Sequence, residues 1–142
     1  MRRIPWLLCL ALYLPLLPAL GQTPPPPIPG IVAAGLQAYR NNGPEAAIAA
    51  WLKGSPIEGS KEALAQANQL REIQDFYGNY RSSDLIAAHA ISPTTHIVYI
   101  VMNFDKGPLF GKFLTYRTGQ GWIVASFSFN TAPDQVLPAS MQ

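Results

Sequence analysis

The only two histidines of the chain, His89 and His96, lie seven residues apart across the proline turn of HAISPTTH. Imidazole ordinarily changes charge near neutral pH, so such a pair can bind metal, move a proton or meet an anion. Zinc wants three or four ligands, and two histidines without a third partner fall short of that. If Ser92 to Thr95 close the turn, Ile91 faces His96 and His89 faces Val98. Both rings then share one sheet face, with Arg117 of the third strand opposite His96. A fixed cation repels a metal, whereas a guanidinium and two imidazole donors suit an anion. His89, His96 and Arg117 are therefore a candidate anion contact. The plainer expectation is that the two histidines only flank a hairpin.

A second chemistry needs a carboxylate held in an apolar pocket beside a tyrosine donor. Asp84 could serve, with Trp51, Tyr99 and Tyr116 lining a ligand pocket between helix and sheet. Asp84 also follows Ser82-Ser83, where a turn is the ordinary reason for an aspartate. Asp105 in DKGP has the same conformational explanation. Lys112 sits mid-strand among apolar residues, either snorkelling outward or contacting an anion. No Ser-His-Asp spacing, phosphate loop or zinc pattern occurs. No catalytic or metal-binding residue is assigned, and no cofactor is expected.

The elements that must position these residues are readable. GIVAAGLQAYRNNG is alanine-rich and stops at Asn41-Asn42-Gly43. PEAAIAAWLKG starts with proline at the first helical position, and its Ile48, Trp51 and Leu52 share a face. Ser60 caps a third helix, along which Ala63, Ala67, Leu70, Ile73 and Tyr77 form an apolar stripe. Beyond Gly78 the pattern changes to DLIAAHAIS, HIVYIVMNF, LFGKFLTYR and WIVASFSFN, separated by PTT, DKGP and TGQG. This predicts an α+β domain over residues 30–130, with N-terminal helices packed on a four-stranded antiparallel meander sheet. Residues 131–142 read as a tail lying over the surface.

The turns suggest a register. Tyr116 faces Ile123 and Leu114 faces Ala125 across the last turn, and Val101 faces Lys112 across the middle one. One face then carries Ile97, Tyr99, Val101, Phe110, Leu114, Tyr116, Phe127 and Phe129. The other carries Leu85, Val98, Ile100, Met102, Leu109, Phe113, Trp122 and Val124. A sheet with one wet side alternates apolar and polar residues, and this one does not. Helices cover one face; a second subunit is the simplest cover for the other, which predicts a homodimer through the sheet face.

The chain opens MRRIPWLLCLALYLPLLPALGQ. A basic start, an uncharged apolar run from Ile4 to Leu17 and small residues at Ala19 and Gly21 describe a signal peptide over residues 1–21, cut before Gln22. The run is short for a membrane span and is broken by prolines. Residues 22–29, QTPPPPIP, read as a stiff proline-rich linker. Cys9 is the single cysteine, so the exported chain would carry no thiol nucleophile, disulfide or iron–sulfur ligand. About 120 residues then remain, enough for one core. The formal charge of +2 resides in Arg2 and Arg3, leaving equal numbers of acids and bases. Nucleic-acid binding lacks its electrostatic footprint. The expected location is periplasmic or extracellular.

From Pro29 to Asn130, the element order together with FDKGPLFGKFLTYR and GWIVASFSFNT resembles the nuclear-transport-factor-two-like and ketosteroid-isomerase-like folds, with the cystatin-like sheets as near neighbours. That resemblance implies helices packed on a curved antiparallel sheet, and in many members a dimer through the outer face. Three functions are compatible with it: an exported small binding or interaction domain of unknown ligand, an isomerase- or dehydratase-like enzyme with a pocket between helices and sheet, and an accessory subunit of an envelope complex; the partners to expect are a small apolar ligand or an envelope protein. A filled space between helices and sheet favours the first and third over the enzyme.

Overall fold

The computed structural model describes residues 28–142. The leader and nearly all of the proline-rich linker fall outside that range. Helices α1 (Gly30–Asn42), α2 (Pro44–Leu52) and α3 (Lys61–Tyr77) precede strands β1 (Tyr80–Ser92), β2 (Thr95–Phe104), β3 (Pro108–Thr118) and β4 (Gly121–Asn130). The strands pair antiparallel in chain order, a four-stranded meander. The α+β architecture is therefore the expected one.

Local chemistry sets the helix ends. Gly43 has φ 86° and donates its N–H to the Tyr39 carbonyl at 2.9 Å, closing α1. Few residues other than glycine adopt that backbone, and Pro44 opens α2 immediately after it. The Ser60 hydroxyl accepts from the Ala63 N–H at 3.1 Å and caps α3. Gly78, again at φ 86°, closes α3 on the Gln74 carbonyl.

The helices bury Val32, Leu36, Tyr39, Ala47, Ile48, Trp51, Leu52, Ala63, Ala67 and Leu70 against Val98, Ile100, Met102, Leu109, Phe113, Val124 and Phe129. Trp51 is fully buried at the centre. Its ring centroid lies 5.0 Å from that of Phe113, 5.6 Å from Phe129 and 6.0 Å from Phe127. Its Nε1–H donates to the Val32 carbonyl at 2.9 Å, so the indole is both packed and satisfied.

The observed register departs from the sequence expectation at one-residue bulges. In β4 the pairing passes from Thr115 with Val124 to Leu114 with Ser126, so Ala125 is the extra residue. Each bulge reverses the facing of the residues beyond it. Phe127 and Phe129 therefore turn toward the helices, and Ser126 and Ser128 take the outer face. β1 carries irregularities at Arg81, Ile86 and Ile91, and starts at Tyr80, ahead of the serines that resemble a turn. The middle hairpin is offset by two residues, pairing Val101 with Phe110 and Tyr99 with Lys112, which leaves facings unchanged.

The outer face is thus less apolar than expected, and the chain supplies part of its cover. After Asn130 the tail makes two 3₁₀ turns, Pro133–Gln135 and Ala139–Met141. Between them Val136 and Leu137 pack on buried Tyr99, with Ile86, Ala87, Ile97 and Phe110 around it. The molecule is layered as helices, sheet and tail.

Gly35 is where α1 meets the Trp51 indole, and a methyl group there would run into the ring. We expect Gly35→Ala to destabilise by about 2 kcal/mol, overpacking outweighing the gain in helix propensity. Gly30→Ala, with open space at its Cβ, should not destabilise. Thermal denaturation of the pair decides this; equal melting temperatures would remove the role assigned to the indole contact.

Candidate functional site

The proposed pocket between helix and sheet is occupied by protein. Trp51, Phe113, Phe127 and Phe129 fill it. Tyr99 and Tyr116 do not line it, because they pair with Lys112 and Thr95 on the outer side of the sheet. Tyr99 lies beneath the tail and Tyr116 is 45% exposed. Asp84 pairs with Val101, is exposed, and accepts from the Asn103 side-chain amide at 2.9 Å. It has no apolar pocket around it, so Trp51, Tyr99, Tyr116 and Asp84 form no common site. Lys112 lies half-buried on the outer face between Tyr99 and Ser128.

The histidines separate in the same way. The bulge at Ile91 pairs His89 with Ile97 and His96 with Ala90. Adjacent residues of a strand point to opposite faces, so the two rings lie on opposite sides of the sheet. His89 is exposed on the outer face, its ring edge-on to Tyr99 at 6.4 Å. His96 lies on the helix side against Trp122, with ring centroids 4.5 Å apart. Arg117, paired with Trp122, shares the His96 face alone. The anion trio is therefore not assembled. His96, Thr115 and Trp122 line a cleft of about 300 Å³ at the start of α1. Among the described residues, no three His, Cys, Asp or Glu side chains are grouped to hold a metal ion.

The site that pattern-reading missed lies between α2 and α3. Ile48, Ala49, Leu52, Ala63, Leu64 and Ala67 line an apolar groove of about 540 Å³. Glu45, Glu58 and Lys61 stand at its margins. Glu45 is engaged by Arg71, and Glu58 accepts from the Gly54 N–H at 2.7 Å. Three alanines keep the two helices from filling the space with side chains, and Leu64 remains 60% exposed beside them. The clue in the sequence was Leu64, an apolar residue off the buried stripe of α3. The volume lies within the range of small-ligand pockets, and the floor of the groove offers shape and apolar contact.

The titratable groups with shifted behaviour are structural. Burial, then the neighbouring Tyr80 and Asp75, pushes the Tyr39 phenol well above its ordinary range. It stays neutral and donates to Gln74 Oε1 at 2.9 Å. The Glu62 carboxyl in the first turn of α3 is held down by its own backbone N–H and by Ser60. Asp105 accepts from the Asn79 backbone N–H at 2.8 Å and from the Arg81 guanidinium, which together hold its carboxyl below the usual range. With Lys106 N–H donating to the Tyr77 carbonyl at 2.9 Å, this turn fastens the middle hairpin to the α3–β1 junction.

Comparison with protein-family models, curated proteins and solved structures found no match to this chain. The likeness to the nuclear-transport-factor-two-like group therefore rests on element order and on the quoted residues.

Asp105 gives the turn between β2 and β3 its pH signature. A carboxyl depressed on folding stabilises the protein above its unfolded-state pKa, and that stability is lost as pH falls through the lower folded value. Asp105→Asn should lower the melting temperature at neutral pH. The difference from wild type should shrink once the pH falls below the ordinary Asp value of 3.8. A constant offset across that range would show that the charge of Asp105 is not what holds the turn.

Proposed function

We propose that this chain is an exported small binding domain that takes an apolar ligand in the α2–α3 groove and self-associates through its outer sheet face. The observation that carries the reading is a filled helix–sheet interior beside an open apolar groove. An isomerase- or dehydratase-like mechanism would need a carboxylate facing a hollow apolar interior, and Asp84 lies exposed at the opposite side of the sheet from Trp51. The groove can exclude water from an aliphatic or aromatic group at about 25 cal/mol per Å² of apolar surface. Its marginal carboxylates are already occupied within the chain, so recognition is by shape rather than charge. Self-association is supported by Val101, Leu114 and Tyr116, which stay partly open on the outer face. No helix among the described residues is long and apolar enough to cross a membrane.

Ala49 is exposed on α2 at the groove wall. We expect the wild-type chain to bind an apolar fluorescent dye saturably, one per chain. Ala49→Glu should weaken that binding at least ~10-fold, about 1.4 kcal/mol, with the melting temperature unchanged. Equal binding by the two proteins would place the dye, and the proposed function, elsewhere. For the export reading, protein recovered from its native host should begin at Gln22 by mass spectrometry; retention of residues 1–21 would defeat it.

A further inference from the structure

A small cleft of about 140 Å³ lies between α1 and the start of β1 and shares no residue with the α2–α3 groove. Ile28, Ala33 and Leu36 give it an apolar floor, and Gln37, Arg40, Tyr80 and Ser83 give it polar walls. Each polar wall has a hydrogen to offer. The Arg40 guanidinium lies over the Tyr80 ring, 5.6 Å from its centroid. Such a contact holds the charge in place and takes none of its N–H donors. The ring is itself fixed from the core side, with centroids 5.2 Å from Tyr39 and 5.9 Å from Phe104. The Tyr80 and Ser83 hydroxyls are 2.7 Å apart. One of their protons closes the bond between them, and the other remains to donate outward. The Gln37 amide donates one hydrogen to Asn41 Oδ1 at 3.2 Å, which leaves the second.

The charge around the cleft has one sign. The ion pairs of the described residues join Arg71 to Glu45 and Arg81 to Asp105, and neither engages Arg40. No acidic side chain lines the cleft. Asp75 acts on the Tyr39 phenol and is not one of the walls. Asp84 takes the outer face of the sheet, whereas Ser83 pairs with buried Met102 on the helix side.

We propose that this cleft is a binding site for a small carboxylate with a short apolar body. The planar guanidinium matches a planar carboxylate through two parallel N–H···O bonds. The spare hydroxyl and amide hydrogens serve the lone pairs left over. One fixed cation balances one negative charge, whereas a phosphate monoester brings about −1.5 to −2 and would leave charge uncompensated. The floor of Ile28, Ala33 and Leu36 receives the apolar body, and the volume holds only a short one. The site is separate from the α2–α3 groove, so each stands or falls by its own experiment.

The test follows the backbone amide signals of the isotope-labelled protein by NMR as isovalerate is added. The titration is repeated with isovaleramide, which keeps the shape and lacks the charge. The acid should move the Gln37, Arg40, Tyr80 and Ser83 signals saturably, with Kd on the order of 1 mM, and the amide should leave them in place. Arg40 is exposed, and Arg40→Gln should weaken binding at least ~10-fold with the melting temperature unchanged. Gln37→Glu, also at an exposed position, sets a like charge at the mouth and should weaken binding as much, so the outcome does not depend on the folding of one variant. N-acetyl-alanyl-valine identifies the source of the carboxylate: binding tighter than that of isovalerate assigns it to the end of a peptide, and weaker binding assigns it to a free acid. Equal responses to acid and amide would reduce the cleft to its apolar floor and overturn the proposal. Shifts that grow without saturation, the mark of an adventitious ion only, would overturn it too, as would undiminished binding by either folded variant.

Discussion

The Trp51 indole is where α1 and α2 meet the sheet. It lies against Gly35 of α1, belongs to α2, and abuts Phe113 on β3 and Phe127 and Phe129 on β4. Its single polar atom is satisfied by the Val32 carbonyl, so the ring enters the interior without an unpaired donor. That bond sets how closely α1 and α2 approach, and the approach requires glycine at position 35. Side chains fill the space between helices and sheet. A binding function must then lie outside the helix–sheet layer, where α2 and α3 diverge over small side chains.

The helices were legible because their signals are local. Asn42-Gly43-Pro44 ends one helix and starts the next, and Ser60 and Gly78 bracket the third. The strands were legible as strands, and three turns separated them. What could not be read was facing, because facing depends on every residue between a turn and the side chain in question. The bulge at Ala125 is visible in retrospect. Phe127 and Phe129 alternate with Ser126 and Ser128, whereas Trp122, Ile123 and Val124 do not alternate, and the break falls at Ala125. Ile91 gives no such signal, since its neighbours are alanine and serine. That one extra residue separated His89 from His96, and with them the candidate anion site.

The α2–α3 groove was hidden for a different reason. It is made by what the residues lack. Ala63 and Ala67 satisfy the helical pattern as well as larger residues would and read as part of the buried stripe, while Ala49 gives no signal of its own. Only the placement of the two helices turns small residues into a concavity. Asp105 shows the converse case. Read as a turn former, it also links Asn79 and Arg81 at the end of α3 to the β2–β3 turn, a long-range role that a turn signal does not announce.

The tail carries a consequence for the timing of synthesis. Val136 and Leu137 leave the ribosome after the described helices and strands, yet they complete the cover of Tyr99. All three helices and all four strands are available before them, so the sheet can form with its outer face bare. Any chain that terminates early, by nonsense mutation or proteolysis ahead of Val136, would have a complete helix–sheet core and an uncovered apolar patch. Such a fragment presents to chaperones, proteases and its own kind the surface that the finished chain keeps covered.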